Sequence, residues 1–175
     1  LPTPTPLPTD TVAPTSIPTS IPPIALKFVE KNSGFQHYPS GYCRDIAIDC
    51  WMTKSTEVHS DWGVLLGYAF AGGQLKTEDE ILIDPQWKNP ALVFWHLYDR
   101  FDSRGSFQVI LQHENVDEIL LEITTGPSRY WHEELIPLRD FAGKSVRVIF
   151  SYQPCELCKH NYWAIQKASI TPDHK

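Results

Sequence analysis

The sequence lacks any long apolar run and any cluster of basic residues. No stretch approaches the roughly 18–20 consecutive apolar residues that a membrane-spanning helix needs. The 175 residues carry a formal net charge of −6, whereas a nucleic-acid-binding domain normally presents a concentrated basic face. The composition therefore argues against a spanning helix and against a nucleic-acid partner.

The sequence also lacks the short motifs that mark common active sites. It contains no HExxH, no GxSxG and no Gly-rich phosphate loop, and its seven histidines show no metal-ligand spacing. Glu118 and Glu122 would share the outward face of one strand about 13 Å apart, which exceeds the roughly 5–9.5 Å of a glycosidase pair. Glu133 and Glu134 are adjacent and would point to opposite faces of a strand. We therefore predict that the protein is not an enzyme.

Proline is concentrated at one end, since eight of the fifteen prolines precede residue 24. Proline fixes φ and removes a backbone donor, so the Pro/Thr-rich residues 1–23 cannot form a helix or a sheet ladder. We predict a disordered, extended linker over residues 1–23 and one folded domain over residues 24–175. Because the chain starts at Leu1, we also expect that a leader has been removed. These features predict an extracellular monomer, secreted or tethered to the cell surface through its linker, as in a lipoprotein.

Short strands broken by turn residues make up the folded part, without a convincing period of 3.6 residues. Alternating apolar residues predict strands at Ala91–Arg100, Ser106–Gln112, Glu118–Thr124, Ser145–Tyr152 and Asn161–Thr171. Earlier candidate strands are Ile24–Glu30, Cys43–Met52, Gly63–Phe70 and Glu80–Ile83. Eight or nine strands without intervening helices predict an all-β protein, an antiparallel two-sheet jelly-roll sandwich.

Several side chains have predicted positions within this sandwich. Trp95 and Trp163 are flanked by apolar strand residues and are expected in the core. His96 is expected as a hydrogen-bonded core histidine rather than a metal ligand. The alternating apolar residues of Glu118–Thr124, Ile119 among them, are expected on one side of their strand.

Four segments occur in an order that suggests a family. They are Pro90 with Leu92–Tyr98 (LVFWHLY), Trp131, Leu138–Phe150 (LRDFAGKSVRVIF) and Trp163–Ile170 (WAIQKASI), preceded by a looser counterpart at Leu75–Ile83. In this order and spacing, residues 64–171 resemble the MAM-like jelly-roll domains of bacterial secreted proteases and adhesins, and more distantly the animal MAM domain. The resemblance implies a galactose-binding-like β-sandwich. Gln166 and Lys167 stand where that family usually carries two aspartates that help to hold a structural cation, so we do not expect calcium there.

The four cysteines form two local pairs, Cys43 with Cys50 and Cys155 with Cys158. An even number of cysteines in an exported protein predicts disulfides, and four cysteines allow three connectivities. The alternatives are free thiols or a structural zinc bound by these four residues, with His160 able to replace one thiolate. We expect no cofactor.

Six tryptophans and seven tyrosines exceed what a core of this size usually requires. Exposed aromatic rings stack on the apolar faces of sugars. The candidate platform residues, in or beside predicted loops, are Trp51, Trp62, Trp87, Tyr130 and Trp131. We therefore predict a carbohydrate-binding or adhesion module whose partner is a glycan. The alternative is a protein-contact or structural module of a surface protein or lipoprotein, with a protein partner and no small ligand.

Overall fold

The computed structural model describes residues 21–29, 34–38, 50–53, 72–99, 106–124, 128–153 and 162–174. These residues form eleven strands and a short 3₁₀ turn at Arg139–Phe141. The strands are β1 (Ile24–Ala25), β2 (Phe35–Tyr38), β3 (Cys50–Thr53), β4 (Gly73–Lys76), β5 (Ile81–Leu82), β6 (Ala91–Asp99), β7 (Ser106–His113), β8 (Val116–Ile123), β9 (Ser128–Pro137), β10 (Ser145–Gln153) and β11 (Tyr162–Thr171). The five long strands predicted from residue 91 onward are confirmed, whereas β2, β4 and β9 were not predicted. Most of the linker and the candidate strand Gly63–Phe70 lie outside the described residues.

The strands form two antiparallel sheets packed face to face, which confirms the all-β jelly-roll sandwich. The six-stranded sheet has the order β2-β3-β11-β6-β9, with β1 paired to β11. The five-stranded sheet has the order β4-β10-β7-β8, with β5 paired to β10. No helix among the described residues is both long and apolar enough to cross a membrane.

Two glycines allow the edge strand β2 of the six-stranded sheet to approach the edge strand β4 of the five-stranded sheet closely. Gly34, at the start of β2, has a φ of +77°, and a Cβ at this position would collide with the backbone of Gly73 in β4. Only glycine combines this φ with so close an approach. Because β2 and β4 meet at this end, the edge strands β9 and β8 lie toward the opposite end of the sandwich.

Aromatic side chains dominate the core between the sheets. Trp163 of β11 is fully buried, as predicted, and it stacks on Phe107 of β7 with ring centroids 5.3 Å apart. Phe150 of β10 contacts both Trp163, at 5.5 Å, and Phe94 of β6, at 5.0 Å. Burial of each such side chain contributes about 1.5–3 kcal/mol. The rings therefore join the central strands of both sheets.

The β7–β8 hairpin turns at Glu114 and Asn115, whose φ values of 49° and 63° fit a two-residue type I′ turn. A bulge follows, because Val109 pairs with Leu121 while the next residue, Ile110, pairs with Ile119. A bulge reverses the alternation, so Ile119 lies on the outer face and is 54% exposed. The prediction that the apolar residues of this strand share one side was therefore wrong.

The same bulge separates the two carboxylates considered above. Glu122 pairs with Gln108 on the outer face, whereas Glu118 pairs with Leu111, whose side chain lies in the core. The two glutamates therefore lie on opposite sides of the sheet and cannot act together on one substrate.

Candidate binding face of the six-stranded sheet

Two of the predicted platform residues lie against the core. Trp51 lies on the inner side of β3, half-buried, with its ring centroid 6.0 Å from that of Phe28 and 5.0 Å from that of His37. Trp87 follows a turn at Asp84, where the backbone N–H of Trp87 donates to the Asp84 carbonyl, and it also packs on the core. Trp51 is therefore in a strand rather than a loop, and neither indole shares a face with Trp131.

Tyr130 and Trp131 lie in strand β9, so their predicted place in or beside a loop was wrong. Tyr130 is 82% exposed, whereas Trp131 is half-buried. His132 faces the interior. The register of β9 with β6 shifts between His132 and Ser128, so Trp131 is assigned to the outer side from its adjacency to His132 rather than from a partner in β6. The remaining platform residue, Trp62, lies outside the described residues, as do Cys43, Cys155 and Cys158. Disulfide pairing and a cysteine zinc site stay predictions.

The outer face of β9, β6 and β11 carries a second tryptophan beside Trp131. Trp95 of β6 pairs with Glu133 of β9 on one side and with Gln166 of β11 on the other. Its indole is half-buried on the outer face, so its predicted place in the core was wrong. We call the outer surface formed by Trp95, Trp131, Glu133, Gln166 and Lys167 the Trp95 face.

The floor around these residues is apolar. Leu97 of β6, Ala164 of β11 and Met52 of β3 pair across neighbouring strands on this outer side, and each is at most 3% exposed. Apolar neighbours on both sides of Trp95 therefore do not indicate an inward position, because this part of the outer face is itself buried. The alternation of side chains along β6 is the signal that places Trp95 on the outer face and its neighbour Phe94 on the inner face.

A bulge in β11 shapes the rim of the Trp95 face. The register with β6 shifts between Gln166 and Ser169, and Lys167 within the shift has a φ of +51°. The Lys167 ammonium lies 5.3 Å from the centroid of the Trp95 ring, a cation–π contact. Gln166 and Lys167 therefore flank the Trp95 ring, one with an amide and one with a positive charge.

Two polar atoms on this side have no hydrogen-bond partner among the described residues: the indole nitrogen Nε1 of Trp131, a donor, and Oε1 of Gln166, an acceptor. Both are shielded from solvent. Buried polar groups in folded proteins are nearly always hydrogen-bonded. The Trp95 face thus has unused capacity to donate and to accept hydrogen bonds.

The outer face of the five-stranded sheet is different. Lys76 donates to Gln112 Oε1 at 2.6 Å, and Gln112 donates in turn to Asp117 at 2.7 Å. Gln108 donates to Glu122 at 2.9 Å. The described residues of this face include no aromatic side chain. It therefore has no ring on which a sugar could stack, and many of its polar groups are already paired.

A buried histidine lies on the inner side of β6, directly opposite Trp95 in the strand alternation. His96 is 1% exposed, and its Nδ1 accepts a hydrogen bond from the indole N–H of Trp163 at 3.2 Å. Burial lowers the pKa of His96 to about 3, and the nearby His132 contributes in the same direction. His96 is therefore neutral at physiological pH. The expected core position is confirmed, but its Nε2 has no hydrogen-bond partner among the described residues.

No protein-family model matches the chain, and no curated protein matches it. Its fold is similar to that of CBM27-1 from Caldicellulosiruptor saccharolyticus, a carbohydrate-binding module solved in complex with mannohexaose (TM-score 0.54, 12% identity, covering 89% of this chain and 100% of that one). It is also similar to the K2 cleaved adhesin domain of Lys-gingipain (TM-score 0.51, 14% identity, 84% and 90% covered). A family 16 carbohydrate-binding module, module 2, has a TM-score of 0.50 at 9% identity, with 82% and 89% covered. These likenesses show a shared jelly-roll fold, while the narrower MAM-like resemblance stays a prediction.

Proposed function

We propose that this chain is a non-catalytic carbohydrate-binding module that holds a glycan on the Trp95 face. The observation that carries the proposal is the half-buried indole of Trp95 on the outer face of β6, with the half-buried Trp131 assigned to the same side from its adjacency to His132 in β9. Indole rings offer the flat apolar surface on which sugar C–H groups stack, while nearby polar groups bind the hydroxyls. The similar folds of modules from carbohydrate-binding families support this function.

Each residue of the face has a distinct role in this proposal. Trp95 and Trp131 stack on two sugar rings, and the exposed carboxylate of Glu133, which pairs with Trp95 across the β6–β9 strands, accepts hydroxyl hydrogen bonds. Gln166 is 3% exposed and pairs with Trp95 from β11, so it helps to position the ring rather than contacting the glycan. The protein acts outside the cell, and its linker holds this face away from an anchor or neighbouring domain.

The test is a glycan and polysaccharide array, including mannohexaose, probed with the full chain in calcium and again in EDTA. Trp95→Ala and Trp131→Ala should each weaken binding about tenfold or more, because truncating an anchor residue of an interface typically costs more than 1 kcal/mol. Binding should be equal in both buffers, since an amide and an ammonium occupy the positions of the family's aspartates. Ile119→Ala, an exposed apolar residue on the other sheet, is the matched control and should leave binding unchanged.

Two outcomes would contradict this assignment. Loss of binding with Trp87→Ala but not with Trp95→Ala would move the platform to the loop before β6. Loss of binding in EDTA alone would show that a cation, rather than the two indoles, organises the site. Circular dichroism spectra of every variant establish that the fold is intact.

The second candidate function is a protein contact, which is favoured by a groove beside β1 and β5. This groove has a volume of about 480 Å³ and includes Ile24 and Leu82, which are 36% and 54% exposed, beside the acidic residues Asp79 and Glu80. An array that stays blank with folded protein would favour this function. Leu82→Ser should then abolish capture of the partner without changing the fold.

A further inference from the structure

Three potential metal ligands converge on the inner side of β6 and β9. His96 of β6 pairs directly with His132 of β9, and Glu134 lies two residues further along the same side of β9. One ligand atom from each residue lies within 4.8 Å of the other two. Two imidazoles and one carboxylate form a ligand set with which zinc binds in three-residue sites that keep a fourth position open.

The hydrogen bonds around the cluster leave ligand atoms unused. Nε2 of His96 is buried, has no hydrogen-bond partner among the described residues, and lies 3.8 Å from Oε2 of Glu134. Nδ1 of His132 lies 2.9 Å from the Ser128 hydroxyl and 3.4 Å from the Tyr130 carbonyl. These oxygens hold the ring through Nδ1, which leaves Nε2 of His132 as a ligand atom. A ligating histidine typically has its other ring nitrogen fixed in this way.

We propose that His96, His132 and Glu134 bind one Zn²⁺ on the inner side of β6 and the edge strand β9. Tetrahedral bonds of about 2.0–2.1 Å separate ligand atoms by about 3.3–3.4 Å, so the cluster contracts modestly when the ion enters. Glu134, whose side chain is 33% exposed, supplies most of that movement and marks the side from which the ion enters. The bound ion joins edge strand β9 to β6.

The hydrogen bond from Trp163 to His96 opposes zinc binding, and its removal therefore gives a specific test of the proposal. Because the Trp163 N–H donates to Nδ1 of His96, the imidazole proton of the metal-free protein is on Nε2. Zinc requires a lone pair at Nε2, so that proton leaves Nε2 for solvent and Nδ1 takes one up, with no net proton release. The Trp163–His96 hydrogen bond is then lost. Zinc affinity is consequently lower than the same three ligands would give without Trp163.

The first experiment titrates the full chain, stripped with EDTA and exchanged into metal-free buffer, with Zn²⁺ in a calorimeter. One ion should bind per chain, and His132→Ala and Glu134→Gln should each weaken binding about tenfold or more. Glu133→Gln is the matched control, since its side chain lies on the opposite side of the same strand, and it should leave zinc affinity unchanged. Affinities of His132→Ala and Glu134→Gln equal to that of the unmodified chain would overturn the proposal.

Cobalt distinguishes this site from a cysteine site. Co²⁺ bound by nitrogen and oxygen ligands gives only weak visible bands, whereas thiolate ligands add strong charge-transfer absorption. We expect weak bands that disappear in Glu134→Gln. Strong charge-transfer absorption that persists in Glu134→Gln would assign the ion to the cysteines and overturn the proposal.

The second variant tests the opposing hydrogen bond. Trp163→Phe removes the indole donor, so zinc should bind several-fold more tightly than to the unmodified chain, although a core side chain has become smaller. A purely structural role of Trp163 predicts equal or weaker binding, and that result would overturn the assignment of His96 as a ligand. Circular dichroism checks the fold of Trp163→Phe. If this variant does not fold, the zinc affinity of Glu134→Gln, a substitution at a partly exposed position, still tests whether zinc binds at this site. Neither titration uses a glycan, so its result is independent of the proposed function.

Discussion

The outer faces of the two sheets carry opposite surface chemistry although they share one core. The Trp95 face combines two half-buried indoles with a donor and an acceptor that have no partner among the described residues. The outer face of the five-stranded sheet instead joins Lys76, Gln112 and Asp117 in a chain of hydrogen bonds. A ligand on the second face would have to replace bonds already made, each with a net worth of about 0.5–1.5 kcal/mol.

This difference shows that the capacity to bind does not follow from the sandwich itself. Both faces are built from antiparallel strands over the same aromatic core, yet only one leaves rings and polar groups available. On the inner side of the six-stranded sheet, Nε2 of His96 is likewise buried and has no hydrogen-bond partner in the part of the chain that the structure describes. The four predictions below compare residues of the two sheets, beginning with the largest expected effect.

The largest effect on the free energy of unfolding is expected at low pH, from the buried His96. Its pKa is about 3 in the folded protein and about 6.5 when unfolded, so the fold favours the neutral ring. The stabilisation is fully present above pH 6.5 and is lost as the pH falls toward 3. At about 1.36 kcal/mol per pKa unit, the free energy of unfolding should fall by about 3 kcal/mol between pH 7 and pH 4. Urea unfolding in EDTA should show this loss, and His96→Leu should lack it; an equal loss in both proteins would contradict the prediction.

The five-stranded sheet should show the corresponding loss in alkali. Burial raises the pKa of Tyr152 in β10 from about 10 to about 12, so the fold favours the protonated phenol. The stabilisation is fully present below pH 10 and is lost as the pH rises toward 12. The loss should be about 1.3 kcal/mol between pH 9 and pH 11, and Tyr152→Phe should lack this part of the loss at high pH. Urea unfolding at pH 9, 10 and 11 measures this loss. The same dependence of the free energy of unfolding on pH in the unmodified chain and in Tyr152→Phe would contradict the prediction.

Replacing a glutamine by leucine should have a smaller effect on the free energy of unfolding, and the effect should differ in sign between the two outer faces. Gln108→Leu breaks the hydrogen bond to Glu122 and should lower the free energy of unfolding by about 1 kcal/mol. Gln166→Leu removes a shielded oxygen that has no partner among the described residues, and it should leave stability unchanged or raise it by up to about 1 kcal/mol. Urea denaturation at pH 7 compares the two variants. Equal destabilisation by both would show that the faces do not differ in polar pairing.

The smallest effect is expected at Lys167. Lys167→Gly relieves a φ of +51° but removes the cation–π contact to Trp95, so stability should change by less than about 0.5 kcal/mol. A glycan on the Trp95 ring no longer has to displace the ammonium, which is worth about 0.5–1 kcal/mol. Glycan affinity should therefore rise about two- to fivefold in a titration with the glycan selected on the array. A loss of affinity would instead show that Lys167 contacts the sugar.

The sequence predicted strands well where apolar residues alternate without interruption, as in β6, β7 and β10. It did not predict β9, because the inward positions of that strand include His132 and Glu134 instead of apolar residues. The bulge in β8 was also not predicted, since Ile119 is apolar and continues the alternation of apolar residues in the sequence of this strand. Alternation is therefore reliable where burial alone selects the residues, and it fails where a polar cluster or a bulge replaces that selection.

The candidate site was predicted only in part. Trp131 and Tyr130 were named from aromatic content, but Trp95 was assigned to the core because its neighbours are apolar. Sequence gives no direct signal for the contact between His96 and Trp163, which are separated by 67 positions and meet only through the β6–β11 pairing. The position of Lys167 over Trp95 depends likewise on the bulge in β11.

The central position of β11 has a consequence for how the protein is made. This strand, at residues 162–171, pairs with β6 on one side and with β3 and β1 on the other, so both halves of the six-stranded sheet are joined through it. The sheet cannot form on a ribosome until those residues have emerged, and pairings so distant along the chain are slow to form. The six-stranded sheet is thus completed only when its central strand joins strands that precede it by more than 60 residues.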